Sequence, residues 1–163
     1  MRFLHNRRVP DCKNHRRTSD HKEDLKGKVP KMYQTRITIA ELFAHSEQYA
    51  DQVITVCGWC RSIRASNAFG FLTLNDGSCF NNLQVVLEEN QLTNYREITA
   101  QNIGAAFCAT GRFVLTPDAK QPFELKATAV NVEGTSTPDY PLQNKKHSME
   151  FLRSIAHLRP RAN

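Results

Sequence analysis

The chain has 163 residues, 40% of them apolar, enough for one domain with a single core and some extensions. Its net charge of +6 is unevenly spread: residues 1–31 hold ten Lys/Arg against four Asp/Glu, residues 32–140 sum to −4, and residues 141–163 sum to +4. A nucleic-acid mode built only on phosphate neutralisation is thereby excluded for the middle of the chain.

Residues 1–31 are polar and basic, carry two prolines and show no apolar period, so a disordered extension is expected there. Thr38 followed by Glu41 is a capping-box spacing, and Ile39, Leu42 and Phe43 share one side, which predicts a short helix over 39–49. From Gln52 the period changes to two. Strands are predicted over 52–64, 68–75 and 81–88, a helical patch over 92–102, and two more strands over 104–115 and 122–133. Five strands with a helix after the third is the order of an OB barrel, so the expected fold is mainly β. The domain proper is read as 32–135, residues 136–147 as a polar linker, and 148–158 as a helix stopped by Pro160.

Strand alternation sorts the second and third strands. Leu72 and Leu74 share one face and Phe71 and Thr73 the other; Leu83, Val85 and Leu87 oppose Gln84 and Val86. The leucine and valine faces should meet in the core, leaving Phe71 and Gln84 together outside, with Arg61 and Arg64 just upstream. A flat ring, an amide that both donates and accepts, and a cation are what an unpaired nucleotide needs. The competing reading puts Phe71 beneath the N-terminal helix and leaves Gln84 and Arg64 as solvated surface groups.

Five cysteines, at 12, 57, 60, 79 and 108, form no disulfide-rich spacing, so reduced thiols and a cytoplasmic location are expected. Cys57 and Cys60 stand three apart on a strand, which points them to opposite faces and argues against a shared metal. No phosphate loop, nucleophile elbow or paired carboxylates is found, so no catalytic residue, metal site or cofactor is assigned to this chain.

The stretch GWCRSIRASNAFGFLTLNDGSCFNNLQVVL (58–87) resembles the anticodon-binding barrel of the asparaginyl-tRNA synthetases, class IIb aminoacyl-tRNA synthetases. The later stretch YPLQNKKHSMEFLRSIAHLRPRAN (140–163) resembles the start of that family's catalytic domain, which would place 148–163 there. The resemblance implies that Phe71 stacks on the central anticodon uridine, that Gln84 hydrogen-bonds that base, and that Arg64 contributes to the same pocket. The implied partner is the anticodon loop of tRNA(Asn). The full-length family enzyme is a homodimer that couples asparagine to tRNA(Asn) using ATP and magnesium. The motifs for that chemistry and the main dimer interface lie outside the sequence given, so the expected role is recognition without catalysis. A stand-alone OB module binding single strands without base preference is the alternative.

Overall fold

The computed structural model describes residues 35–119, 121–143 and 145–162. The disordered extension expected over 1–31 lies outside the described residues. The rest forms the mainly β, five-stranded barrel that the sequence pattern predicts. Strands β1 (Val53–Ala65), β2 (Phe69–Asn75), β3 (Leu83–Glu88), β4 (Ala106–Leu115) and β5 (Phe123–Gly134) close in the order β1-β2-β3-β5-β4. Closure works because β1 is long enough to pair with β2 along one part and β4 along another, with a register shift between Cys60 and Ser62. All pairings are antiparallel except β3 with β5, a narrow parallel junction of two residue pairs, Val85–Leu125 and Val86–Lys126.

The inward positions of each strand supply the core. Leu72 and Leu74 of β2, Leu83, Val85 and Leu87 of β3, and Phe107 and Phe113 of β4 are buried in one cluster. Helix α2 (Tyr95–Thr99) adds Tyr95 and Ile98 to that cluster, and the Tyr95 hydroxyl donates to the Ser66 carbonyl at 2.7 Å. The helix predicted over 39–49 is split into α1 (Ile39–Ala44) and a 3-10 turn over Ser46–Tyr49.

Only half of the expected capping box forms. Thr38 Oγ1 accepts from the Glu41 amide, but the Glu41 carboxylate accepts from the Tyr49 hydroxyl instead of turning back. The first two helical amides are met from the β2–β3 loop: Ile39 N–H donates to Asp76 Oδ2 at 2.8 Å and Ala40 N–H to Ser78 Oγ at 3.0 Å. These are orphan donors that a helix start must satisfy somewhere, and here the barrel satisfies them.

Toward the C-terminus, Ser148 caps α3 (Met149–Ser154). This helix ends well short of Pro160, because Ile155 already leaves helical geometry at φ −114°, ψ 46°. Pro160 instead sits in a 3-10 turn over Arg159–Arg161, near its start, where a missing amide hydrogen costs nothing. Among the described residues no helix is long and apolar enough to cross a membrane.

Candidate nucleic-acid interface

The outer surface of β1, β2 and β3 brings together the side chains that the alternation singled out. Leu72 and Leu74 face the core with no exposure, so their neighbours Phe71 and Thr73 must face out. Phe71 remains 42% exposed. Leaving a benzyl group half open to water forgoes part of the roughly 1.5–3 kcal/mol that burial would return.

Register fixes the neighbours. Arg64 of β1 stands opposite Phe71, and Phe71 stands opposite Val86 of β3. One rung away, Ser62, Thr73 and Gln84 line up across the three strands, and the Ser62 hydroxyl donates to Thr73 Oγ1 at 3.0 Å. Gln84 is therefore diagonal to Phe71 on the same surface, at the separation across which aromatic and long side chains still meet. Arg64 is exposed beside the ring, and among the described residues no carboxylate pairs with it. Val86, also expected on the outside, is only 9% exposed, because Phe71 on one flank and Lys126 on the other cover so short a side chain.

One further residue belongs to this surface. Gln84 Nε2 donates to Glu124 Oε1 of β5 at 2.6 Å. A charge-assisted bond of that length fixes which end of the amide faces outward. Nothing local in the sequence marks Glu124, since its approach to Gln84 depends on the barrel closing through β3 and β5.

Beside the interface, the turn at 159–161 and the linker residues lie against β1 and form a groove of about 450 Å³. Arg61, Arg64, Lys145, Lys146 and Arg161 line it. Arg61 Nη1 donates to the Arg161 carbonyl, and the Arg161 guanidinium lies 5.1 Å from the Trp59 ring centre. The positive charge missing from the barrel is thus concentrated along one of its margins.

The cysteines separate as strand geometry requires. Cys60 is buried in the core with its thiol pushed up to about 12 by burial, while Cys57 lies on the outer side of β1. Among the described residues no three His, Cys, Asp or Glu side chains converge as a metal site would need.

Residues 54–133 match the family model of the OB-fold nucleic acid binding domain. The asparagine–tRNA ligase of Acetivibrio thermocellus is 56% identical over 125 residues, 77% of this chain. The chain belongs to the asparagine–tRNA ligase family. The ligase of Alkaliphilus oremlandii is 54% identical over 78% of the chain. Both matches span only 27% of the relative's length, so the chain covers about a quarter of the ligases it resembles. In fold, the barrel is similar to asparaginyl-tRNA synthetase from Pyrococcus horikoshii complexed with asparaginyl-adenylate. That match has a TM-score of 0.66 at 15% identity and covers 78% of this chain and 29% of that one. Within this family the segment is an anticodon-binding OB domain.

Proposed function

We propose that the outer face of β1–β3 reads the central uridine of the tRNA(Asn) anticodon, as the recognition part of a ligase that joins asparagine to that tRNA. The observation that carries this reading is the diagonal pairing of an exposed Phe71 with Gln84, whose amide Glu124 holds in one orientation.

In this reading the base lies flat on Phe71, a contact worth roughly 1–3 kcal/mol. One Nε2 hydrogen of Gln84 is spent on Glu124, which leaves Oε1 and the second Nε2 hydrogen for the ligand. Those two groups complement the N3–H and a carbonyl oxygen of uracil. Cytosine presents an acceptor at N3, so it would set one lone pair against another. Arg64, exposed beside the ring, supplies charge to the phosphate or to the base edge. The sheet itself has little charge to hold an RNA backbone, and the groove beside it, with Arg61, Lys145, Lys146 and Arg161, provides that attraction. ATP, magnesium and the dimer contacts belong to the greater part of the ligase length that this chain does not span, and the cytoplasm is where such a ligase would meet its tRNA.

Titration of the chain with an anticodon stem-loop tests the reading. Replacing the central uridine by cytidine should weaken binding about tenfold, while a change of stem sequence should matter far less. Equal affinity for an unrelated single-stranded DNA would favour a sequence-indifferent OB module instead.

A further inference from the structure

Two thiols that the nucleotide-reading face does not use meet on the outer side of β1 and β4. Cys57 and Cys108 stand directly opposite each other in the antiparallel ladder, and Cys57 Sγ donates to Cys108 Sγ at 2.8 Å. The next rung on the same side repeats the pattern, with the Thr55 and Thr110 hydroxyls 2.8 Å apart. Directly opposed residues of an antiparallel pair have Cα atoms about 4.5 or 5.5 Å apart. Both separations fall inside the window of about 4.4–6.8 Å that a disulfide spans. Closing the bond therefore calls for small side-chain rotations and no displacement of either strand.

The two thiols differ in access. Cys57 is half-buried and lines an open cleft of about 540 Å³ together with Arg36, Trp59, Asp76 and Glu133. Cys108 is 2% exposed, and burial first, then the bond from Cys57, push its thiol up to about 12. A reagent in the cleft meets Cys57, while Cys108 waits behind it protonated and within bonding reach. The remaining described cysteines have no such partner: Cys60 is enclosed in the core, and Cys79 Sγ donates to the Asn81 carbonyl in the β2–β3 loop.

We propose that Cys57 and Cys108 form a thiol–disulfide modification site that closes reversibly into a cross-strand disulfide when a low-molecular-weight disulfide enters the cleft beside Trp59. The Cys57 thiolate attacks one sulfur of the small disulfide; a mixed disulfide forms, and the departing thiolate takes up the proton that Cys57 released. Cys108 then gives up its proton and attacks Cys57 Sγ, expelling the second small thiol, which leaves protonated. The protein loses two protons and two electrons, and the small disulfide is reduced to two thiols. Reversal needs only an excess of small thiol, as suits a switchable bond in a reducing compartment.

The test is to incubate the reduced full chain with excess glutathione disulfide and map its peptides without reduction. The expected product is a Cys57–Cys108 linked peptide, with a mass loss of two hydrogens that dithiothreitol restores. Cys108→Ala should instead accumulate a glutathione adduct at Cys57, because nothing remains to expel it; Cys57→Ser should give no link and leave Cys108 unmodified. A lasting adduct at Cys57 in the unsubstituted protein, or modification of Cys108 at an unchanged rate in Cys57→Ser, overturns the proposal. Should either variant fail to fold, the peptide map of the unsubstituted chain decides alone.

Discussion

Gln84 and Glu124 lie 40 positions apart in sequence, yet a 2.6 Å hydrogen bond joins their side chains across the parallel junction of β3 and β5. The bond restrains an amide that would otherwise flip freely at a solvent boundary. Glu124→Ala releases it, so affinity for a uridine-centred stem-loop should fall by about 1 kcal/mol and the preference over cytidine should narrow. Paired titrations with the two loops measure this. An unchanged preference would show that Glu124 does not orient the reader.

Phe71→Ala should cost about 1–3 kcal/mol of stem-loop affinity, while the thermal midpoint moves little. The two effects separate because the ring is 42% exposed and contributes little to the core. Titration and a melting curve on the same sample check both halves. A large drop in midpoint would mean that the ring supports the fold.

Gly111 sits at the register shift between β4 and β5, where a Cβ would lie 2.1 Å from the Lys126 carbonyl oxygen. The nearest atoms are all β5 backbone, at Lys126 and Ala127, which cannot swing aside as a side chain would. Gly111→Ala should destabilise the barrel by roughly 2–4 kcal/mol, read as a lower urea midpoint.

Asp76→Ala removes the acceptor of the Ile39 amide and the internal acceptor of Ser78 N–H and Oγ. A loss of about 1 kcal/mol is expected. Hydrogen exchange should report it first at the Ile39 and Ala40 amides, and unaltered protection there would argue against the loop as the cap.

Alkaline stability follows from Cys60, whose buried thiol is raised to about 12. An unfolded chain ionises this thiol near its ordinary value of about 8.5, so the unfolded state holds fewer protons above that pH. The contribution is fully present below that value and is lost progressively as pH rises towards 12. Cys60→Ala should flatten the decline in melting temperature over this range, measured against the unsubstituted chain.

Local rules made most of the strands legible. Leu72 and Leu74 alternate with Phe71 and Thr73, and β2 sits in the barrel with that sorting intact. Thr38 marked the start of α1 because a capping hydroxyl acts within one turn. The features that stayed hidden are those set by closure. Glu124 meets Gln84, Cys57 meets Cys108, and Val86 is covered only because distant strands become neighbours. Pro160 misled for a related reason: a helix can end before its breaker, and α3 does so at Ser154.

The parallel seam between β3 and β5 has a dynamic consequence. Two residue pairs hold it, against at least six at every other contact of the barrel. Transient gaping of the wall should begin there, and the Gln84–Glu124 clasp stands at its edge. A nucleotide seated on that clasp would bridge the joint and damp its opening, so that ligand capture and rigidity of the whole cylinder rise together.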